Sequence, residues 1–399
     1  MSEEKLVPKL RFPDFEHDWE SKKLKDLSNI QRGASPRPIT AKKWYDNENK
    51  KVGWVRIGDV TSSSKYLTKT EDYFSEEGVK KSRFLPKGSL IMSICATIGK
   101  PIVTGMDTCI HDGFVGFSEL KNINKEFLYY YLNILEPKFI SLSQTGSQAN
   151  LNSDLVRNAE IGVPSIQEQE KIVNFISAVD KKHNILNKNL ETQLSFKKYL
   201  MQQIFTQKLR FNFTDEWEKY LLGDISLIGK GFTPSTSNPS FWDGDLKWLS
   251  IADMNQGKYI NQTTKKITSD GSKNKEPVKK GTLLMSFKLS IGKLGILTED
   301  MYTNEAICNF KWKNKDVLTE YMYYYLSSIN ILKYGSQAAK GITLNNETLS
   351  TIPVLLPSLE EQKKIINILS DVDMKINMLE NSINDTSKFK KGLLQQMFI

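Results

Sequence analysis

Apolar residues recur every three or four positions over two long stretches of this chain. The first stretch follows Ser165 and the second follows Ser358, and steps of four and three alternate along both. An apolar period of about 3.5 residues, sustained over many turns, is typical of coiled-coil helices. The seam positions of the first helix are Ile172, Ile176, Val179, His183, Leu186, Leu190, Leu200 and Ile204, and those of the second are Ile365, Leu369, Val372, Ile376, Leu379, Ile383, Leu393 and Met397.

Both helices have a recognisable start. A serine followed three residues later by a glutamate, the spacing of a capping box, stands directly after a proline at Pro164–Glu168 and again at Pro357–Glu361. The pattern predicts spacer helices over 165–206 and 358–399, each about 60 Å long. Because the first helix leads out of one domain into the next, a second helix packed on it must return. The pair is therefore predicted to be antiparallel, with an approximate two-fold axis across its middle.

Shorter apolar runs outside the helices predict a mixed α and β structure. Trp54–Val60 and Trp248–Met254 alternate apolar residues with Gly and Asp, which favours strands. Leu90–Ser93 and Leu283–Ser286 predict buried strands. The aromatic runs at 127–132 and 321–326 have polar flanks, and an amphipathic helix is predicted for each.

These elements occur twice in the same order: the Trp54 run and the aromatic run recur after 194 residues, and other segments recur after a step of 193 residues. The step carries Pro164–Ile172 onto Pro357–Ile365 and Lys87–Leu90 onto Lys280–Leu283. A solenoid repeat spans only about 20–50 residues, so this period indicates a duplicated domain with its connector. The predicted fold class is α+β, with two similar mixed α/β domains at 1–164 and 207–357. Two long antiparallel coiled-coil helices separate them, and the chain has internal pseudo-two-fold symmetry.

Composition narrows the class of partner. The 399 residues include 55 Lys and Arg against 46 Asp and Glu, a net charge of +9 that favours an anionic partner, although a solvated lysine-rich surface explains it equally well. The three cysteines have neither disulfide nor metal-ligand spacing, which suits a reducing compartment. The start lacks an apolar signal-peptide core, and no apolar stretch approaches the length of a membrane span. We therefore expect a cytoplasmic protein with no membrane partner.

The predicted two-fold arrangement suits double-stranded DNA, because dimeric readers place two recognition surfaces about one helical turn apart. Basic and polar residues in the predicted loops have the chemistry to neutralise phosphates or contact base edges. Candidate DNA-binding residues in the first copy are Arg32, Ser35, Arg37, Lys42, Lys43, Arg56, Ser62, Ser63, Lys65 and Arg83. Those in the second copy are Lys230, Thr233, Ser235, Thr236, Lys247, Lys265, Lys266, Lys273 and Lys275. Base-edge candidates on a turn before the last strand, each equally a solvated turn residue, are Gln144, Gln148, Asn150, Gln337 and Asn345.

Taken together, the twofold pattern resembles the specificity subunit of a type I restriction-modification system. The resemblance covers nearly the whole chain and rests on four motifs that occur in both copies. In the first copy they are P-S-x-x-E-Q-x-K-I at Pro164, W-x-x-I-x-D at Trp54, K-G-[ST]-L at Lys87 and L-[ML]-Q-Q-[IM]-F at Leu200. Singly these motifs are weak, but twice over and in this order they are specific.

The resemblance implies two target-recognition domains, each reading one half of a bipartite asymmetric DNA site. It also implies that the helices set the spacing between the halves and dock two modification (methyltransferase) subunits, which restriction (motor-nuclease) subunits join. S-adenosylmethionine, ATP and Mg²⁺ are then expected in the partner subunits, and no cofactor in this chain. The family brings its chain ends together, and because the second copy stops directly after its helix at Ile399, we expect that contact to be short.

The residue patterns do not favour catalysis by this chain. Asn238–Phe241 resembles the Asn-Pro-Pro-aromatic tetrad of adenine methyltransferases, but the second proline is replaced and a glycine-rich cofactor loop is missing, so we predict a turn. The three histidines share no metal-ligand spacing, and His183 is interpreted as a polar seam residue that sets helix register. Cys95 and Cys109 are interpreted as buried small residues. No catalytic or metal-binding residue is therefore predicted.

Two alternatives remain open. A coiled-coil assembly scaffold without DNA readout predicts binding that salt does not weaken, whereas phosphate contacts weaken steeply with salt. A stand-alone DNA methyltransferase or nuclease predicts activity from this chain by itself. Lys197 and Lys390, which lie on the seams near the helix ends, either extend their ammonium groups to solvent or bind a partner.

Overall fold

A computed structural model describes residues 6–143, 151–288, 290–338 and 341–399. It divides into two compact units, one of Met1–Leu186 with Ser382–Ile399 and the other of Asn187–Asn381. Each unit therefore contains one mixed α/β domain and a segment of each long helix, so the unit boundary crosses both helices. Among the described residues, none of the helices has the length and apolar character that crossing a bilayer requires.

In the described part of the first copy, the strands form three sheets. Its strands are β1 (Glu20–Lys23), β2 (Asn29–Arg32), β3 (Val52–Val55), β4 (Tyr66–Leu67), β5 (Asp72–Phe74), β6 (Arg83–Leu85), β7 (Leu90–Ser93), β8 (Pro101–Thr104), β9 (Thr108–Ile110), β10 (Phe114–Ser118) and β11 (Glu160–Val163). Its helices are α1 (Leu24–Leu27), α2 (Ile57–Thr61), α3 (Glu76–Lys80), α4 (Lys125–Ser143), α5 (Ser153–Arg157) and α6 (Ile166–Phe205), with a 3₁₀ turn at Lys42–Trp44. The strand orders are β2-β10-β7-β8-β4, β5-β3-β9-β6 and β1-β11.

The second copy repeats much of this plan. Its strands are β12 (Glu218–Leu221), β13 (Ser226–Lys230), β14 (Trp242–Leu249), β15 (Tyr259–Ile260), β16 (Lys265–Ile267), β17 (Leu283–Ser286), β18 (Leu294–Leu297), β19 (Tyr302–Thr303), β20 (Ile307–Trp312), β21 (Ser336–Ala338), β22 (Gly341–Thr343) and β23 (Pro353–Leu356). Its helices are α7 (Leu222–Ile225), α8 (Ser269–Ser272), α9 (Thr319–Ser328), α10 (Asn346–Ser350) and α11 (Leu359–Met397), with 3₁₀ turns at Pro239–Phe241, Ala252–Asn255 and Ile331–Tyr334. The orders are β13-β20-β17-β18-β15, β16-β14-β19, β12-β23 and β21-β22.

The central strands and the aromatic helices form the core of each unit. Leu90–Ser93 and Leu283–Ser286 are strands β7 and β17, as predicted, and all their residues are buried. The aromatic runs lie in α4 and α9, also as predicted. The run in α4 lacks the exposed polar face that was predicted, since every residue of 127–132 is buried, whereas Tyr323 in α9 is half-buried. The reason is that α4 packs between the central sheet and the long helices, so apolar residues are needed on more than one face.

The predicted strands at Trp54 and Trp248 end earlier than expected. β3 stops at Val55 and helix α2 follows, while β14 stops at Leu249 before a 3₁₀ turn. An aspartate redirects the chain in both copies. The Asp59 carboxylate accepts a hydrogen bond from the Arg56 backbone N–H at 2.8 Å, and the Asp253 carboxylate accepts one from the Ser250 N–H at 2.9 Å. These bonds satisfy the backbone at the start of a helical turn and end the strand.

The long helices α6 and α11 contain 40 and 39 residues. In the first unit, Lys390 forms an ion pair with Asp180 (Nζ to Oδ1, 2.5 Å), and His183 contacts Ser387 (Nε2 to Oγ, 3.1 Å). Position 387 precedes 390 whereas 183 follows 180, so the two helix segments run antiparallel in this unit, as predicted. In the second unit, Lys197 of α6 pairs with Asp373 of α11 at 2.5 Å. These ion pairs give Lys197 and Lys390 partners within the chain.

Burial along the seams varies with position in the helix. The buried seam residues are Ile172, Ile176, Val179, Leu200, Ile204, Ile365, Leu369, Val372, Ile376, Leu393 and Met397. The half-buried ones, which lie midway along the helices, are His183, Leu186, Leu190, Leu379 and Ile383. The domains therefore supply much of the apolar surface that buries the seams.

The end of the chain completes the core of the first unit. Phe398 is buried and stacks on Phe127 with ring centroids 5.0 Å apart. Tyr131 donates a hydrogen bond to the Ile399 carbonyl at 2.5 Å, and the Leu10 N–H donates to the Gln396 carbonyl at 2.8 Å. The contact between chain ends is thus more extensive than expected, because the last helix residues pack inside the domain.

Candidate nucleic-acid interface

Several strands of the first unit end at one edge. β2 and β7 both run antiparallel to β10, so their last residues lie beside its first residues. β3 runs parallel to β9 and ends with it, and β6 places Arg83 opposite Ile110 at the same end. We call the residues gathered there the first strand-end edge: Arg32, Ser35, Arg56, Arg83, Cys95, His111 and Asp112.

Two of its three arginines are held by acceptors on neighbouring segments. The Arg32 Nε donates to the backbone carbonyl of Asp112 at 2.6 Å, although Arg32 remains exposed. Arg56 forms an ion pair with Asp72, 2.6 Å from Nη2 to Oδ2. Guanidinium groups anchored at strand ends lose less side-chain freedom when they bind a ligand, which favours specific recognition.

The turn between β9 and β10 carries the titratable groups of this edge. Burial lowers the pKa of His111; the nearby Asp112 opposes this, and Arg56 and Arg32 add to it. Burial by itself would raise the pKa of Asp112, but the hydrogen bond from Ser35, a backbone hydrogen bond and the nearby Arg32 bring it below the ordinary value. His111 is therefore biased towards the neutral form and Asp112 towards the carboxylate.

The basic loop after β2 begins with a close backbone crossing. Gly33 donates from its N–H to the Phe114 carbonyl at 2.9 Å, and a Cβ on Gly33 would lie only 2.0 Å from the His111 carbonyl oxygen. Only glycine fits there. Further on, the Trp44 indole N–H donates to the Pro38 carbonyl at 2.9 Å, so the buried Trp44 closes the loop from inside. The exposed cations on this loop are Arg37, Lys42 and Lys43.

The second unit builds the same edge with other side chains. β13 and β17 run antiparallel to β20, and β14 runs parallel to β19. β16 places Lys265 opposite Trp248, near the end of β14. The second strand-end edge therefore consists of Lys230, Thr233, Ser250, Lys265, Lys288, Asn304 and Glu305.

The loop after β13 also passes close to a neighbouring backbone segment at a glycine, and a tryptophan closes it. A Cβ on Gly231 would lie 2.0 Å from the Thr303 carbonyl oxygen. The Trp242 indole N–H donates to the Ser235 carbonyl at 3.1 Å. Lys265 lies 5.4 Å from the centre of the Trp242 ring, and Lys275 lies 4.4 Å from that of Phe232. Two predicted lysines are thus brought to this loop by aromatic contacts.

Charged side chains also attach each domain to the long helices. In the first unit Tyr130 donates to Asp180 at 2.7 Å, and Lys65 donates to the Tyr130 hydroxyl at 3.2 Å. Lys65 also pairs with Glu126. We call this set, with Lys390 on Asp180, the anchor network. Its copy in the second unit consists of Lys258, Glu320, Tyr324, Asp373 and Lys197.

A second anchor explains the opening line of each copy. Glu168 at the start of α6 is buried; it forms an ion pair with Arg11 at 2.8 Å and accepts from the Trp19 indole at 3.2 Å. The predicted capping bond from the Glu168 N–H to the Ser165 hydroxyl is present at 3.2 Å. The glutamate side chain, however, binds Arg11 rather than serving only as a cap. In the second unit Glu361 binds Arg210 and Trp217 in the same way.

Known proteins share this duplicated architecture. The family model described as the type I restriction modification DNA specificity domain matches residues 16–195 and 214–386. The chain belongs to this family. A curated relative, the putative type I restriction enzyme MjaX specificity subunit of Methanocaldococcus jannaschii, is 24% identical over 98% of this chain and 95% of its own length. The EcoBI specificity subunit of Escherichia coli is 21% identical, covering 96% and 85%.

Solved structures share the fold of this specificity-domain chain. The crystal structure of a type I restriction-modification S subunit from M. genitalium aligns with a TM-score of 0.61 at 15% identity, covering 98% of this chain and 99% of that one. At this level of identity the match concerns the fold alone.

Some predicted DNA-binding residues of this specificity-domain chain have other partners. Lys65 is half-buried in the anchor network, where it pairs with Glu126. Lys247 is taken up by Glu299 at 2.5 Å and the Asn261 carbonyl at 2.8 Å. The Asn345 side chain caps α10 by accepting from the Thr348 N–H at 2.8 Å. Ser62 and Ser63 both donate to the Asp59 carbonyl after α2.

The remaining candidates stay predictions. Those that are exposed in loops or at strand ends are Arg32, Arg37, Lys42, Lys43, Arg83, Lys230, Ser235, Thr236, Lys265, Lys266, Lys273 and Lys275. Gln144, Gln148 and Asn150, and the side chain of Gln337, lie outside the described residues. Over the ranges that the structure covers, no group of His, Cys, Asp and Glu is arranged to hold a metal ion.

Sequence reasoning missed several members of the two edges. Cys95 was interpreted as buried but is half-exposed, because the turn after β7 carries it out of the core; Cys109 is buried as predicted. The 193-residue step places Lys288 at the position of Cys95, and Asn304 and Glu305 at those of His111 and Asp112. Applying that step to every residue beside a predicted strand end would have found these positions.

Proposed function

We propose that this chain is the sequence-specific DNA-binding subunit of a type I restriction-modification complex, each domain reading one half of a bipartite asymmetric site. The observation that carries the proposal is that one scaffold presents two strand-end edges of different chemistry. The first edge contains Arg32, Arg56 and Arg83, and the second contains Lys230, Lys265 and Lys288. Two unlike edges suit two unlike half-sites.

The two kinds of basic residue suit different parts of DNA recognition. Arginine at a strand end is well placed to contact guanine O6 and N7 together, which discriminates bases. Lysines on the loops that start at Gly33 and Gly231 instead neutralise phosphates and fix the register of the domain on the duplex. The pairing of the strands fixes where the residues of both edges lie. A fixed arrangement favours sequence-specific contacts with bases over non-specific attraction to phosphates.

We further propose that the long helices set the distance between the half-sites and dock two modification subunits. Apolar side chains remain exposed along them, and exposed apolar patches commonly mark protein interfaces. On the helix segments of the second unit these are Leu194, Phe196, Tyr199, Met374 and Met378. On those of the first unit they are Ile166, Phe175, Ile185 and Phe389. In this proposal the restriction subunits join the assembly through the modification subunits.

Catalysis belongs, in this proposal, to the partner subunits in the cytoplasm. S-adenosylmethionine would bind the modification subunits, and ATP and Mg²⁺ would support the motor-nuclease subunits. The chain described here would contribute DNA binding alone.

A change in helix length tests the spacing role. One heptad inserted into both α6 and α11 lengthens each by about 10 Å, equivalent to about three base pairs of duplex. The complex reconstituted with modification subunits should stop methylating its original site and methylate one whose spacer is longer by about that number. Sequencing of methylated motifs measures both.

A seven-residue insertion in the exposed loop 313–316 is the matched control, and it should leave the motif unchanged. The chain without modification subunits should leave DNA unmethylated. Continued methylation of the original site by the variant with longer helices would contradict the spacing role. Methyl transfer by the chain alone would favour the stand-alone methyltransferase instead.

A further inference from the structure

Each strand-end edge contains a carboxylate that binds a hydroxyl of the neighbouring loop. In the first unit Ser35 donates from Oγ to Oδ1 of Asp112 at 3.0 Å. In the second, Thr233 donates from Oγ1 to the Glu305 carboxylate. Both hydroxyls stand two residues after the crossing glycine, and both carboxylates stand on the turn before the last central strand.

The two copies make this contact with different residue types. Asp112 and Glu305 differ by one methylene, and Ser35 and Thr233 by one methyl group, yet the pairing persists. In the second unit the Asn304 amide also donates to the Thr233 hydroxyl, at 2.9 Å. A chance surface contact is not expected to reappear after both of its partners have changed.

A carboxylate is an unexpected group on a surface that binds a polyanion. The Asp112 side chain is 51% exposed and lies among arginines, where it would repel phosphates. Two roles could offset that cost. The carboxylate could accept from a cytosine amino group, or it could hold the loop in place.

The contacts favour the second role. One carboxylate oxygen of Asp112 already accepts from Ser35, and its backbone carbonyl accepts from Arg32 at 2.6 Å. Asp112 therefore connects the start of the basic loop to the arginine at the end of β2. Gly33 lies between Arg32 and Ser35 in the sequence, and its lack of a side chain lets the loop pass close to the turn between β9 and β10.

We propose that Asp112 and Glu305 are positioning residues. Through Ser35 and Thr233 they hold in place the start of the basic loops that begin at Gly33 and Gly231, which contact DNA in the proposed function. This inference rests on the proposed function, since it concerns how the loop is presented to DNA. Neither carboxylate need touch a base. Each acts through the hydroxyl that it holds.

A double-mutant cycle on Asp112 and Ser35 tests the proposal. Asp112→Ala and Ser35→Ala should each weaken binding of the reconstituted complex to its site by about threefold to tenfold, the value of one hydrogen bond. The double variant should be no weaker than either single variant, because both remove the same contact. Asp112→Asn keeps an acceptor oxygen and should stay within about twofold of the wild type.

Base preference at each half-site distinguishes the positioning role from a loss of folding, because unfolded protein would weaken binding without changing the preferred bases. A loosened loop should relax preference at several positions of the first half-site and leave the second unchanged. Glu305→Ala and Thr233→Ala should do the reverse. Binding of the modification subunits, measured alongside, should be the same for all variants.

Three outcomes would overturn the proposal. Tighter DNA binding by Asp112→Ala and Asp112→Asn alike would show that the carboxylate only repels phosphate. A changed preference at one base pair in Asp112→Asn, with Ser35→Ala unchanged, would show direct base contact. Additive losses in the double variant would show independent roles. If the wild-type complex binds no specific site, the proposed function fails before the positioning role is tested.

Discussion

The anchors beside the long helices and the edges at the strand ends have diverged to different degrees since the duplication. At the anchors the two copies use the same residue types in the same contacts. The matched pairs are Arg11 and Arg210, Glu168 and Glu361, Tyr130 and Tyr324, and Asp180 and Asp373. At the edges the matched residues differ: Arg32 and Lys230, Arg56 and Ser250, and Cys95 and Lys288.

Burial explains this difference. The Glu168 and Glu361 side chains are both only 2% exposed, so replacing one member of either ion pair leaves a charge in a poorly solvated place. At the edges, by contrast, Arg32, Arg83, Lys230, Lys265, Lys288 and Glu305 are exposed. Changes at exposed positions rarely affect stability by more than about 0.5 kcal/mol. The anchors are therefore constrained in groups, whereas the exposed edge residues outside the Ser35–Asp112 and Thr233–Glu305 pairs are less constrained. Exposed edge positions therefore suit a recognition surface that must differ between two half-sites.

The largest expected effect is the loss of stability when an anchor glutamate is removed. Glu168→Ala leaves Arg11 and the Trp19 indole without their acceptor and should destabilise the first unit by about 3 kcal/mol. Glu361→Ala should do the same to the second unit, since the contacts match. Amide hydrogen exchange in α4 and α9 measures the two units separately.

Exposed Glu170, two residues further along α6, provides the control: Glu170→Ala should cost less than about 0.5 kcal/mol. A loss no greater than this in Glu168→Ala would remove the physical basis of the comparison. So would an equal loosening of both units by one substitution.

The sequence predicted those features that depend on local periodicity. The seams, the helix starts and the buried strands β7 and β17 are set by apolar spacing, and the repeat is visible in the residues themselves. Trp54–Val60 shows the limit of this approach. Its alternation extends past Val55, but Asp59 binds the Arg56 N–H and turns the chain, a contact that an apolar pattern does not encode.

The candidate site was harder to predict because its partners are distant in sequence. Lys65 follows a polar run and was assigned to the DNA surface, yet its partner Tyr130 lies 65 residues away. The Arg11–Glu168 pair spans 157 residues. Comparison of the copies would have helped, since the 193-residue step matches Lys65 with Lys258 and Asp112 with Glu305.

A smaller effect is expected at the edges, where it should be confined to one half-site. Arg32→Ala should cost about 1–3 kcal/mol of DNA-binding free energy and relax preference at one position of the first half-site. Lys230→Ala should act on the second half-site only. Binding of the reconstituted complex to sites with single base-pair changes measures both.

The loop residue Lys42 separates base readout from phosphate attraction. Lys42→Ala should weaken binding to all of these sites alike and lower the salt slope by about one. The comparison between the edges would fail if Arg32→Ala also weakened binding to all sites evenly, or if it altered preference in the second half-site.

The smallest expected effect uses His111, which the second unit replaces with Asn304. Burial lowers the pKa of His111 in the folded unit below its ordinary value of 6.5, so the unfolded chain binds the proton more readily. The stability that neutral His111 supports is therefore complete above pH 6.5 and declines as the pH falls below that value. Hydrogen exchange followed from about pH 7.5 to about 5.5 should show α4 losing protection relative to α9. His111→Asn should remove this difference, whereas His17→Asn, at an exposed position, should preserve it; persistence of the difference in His111→Asn would place its origin elsewhere in the first unit.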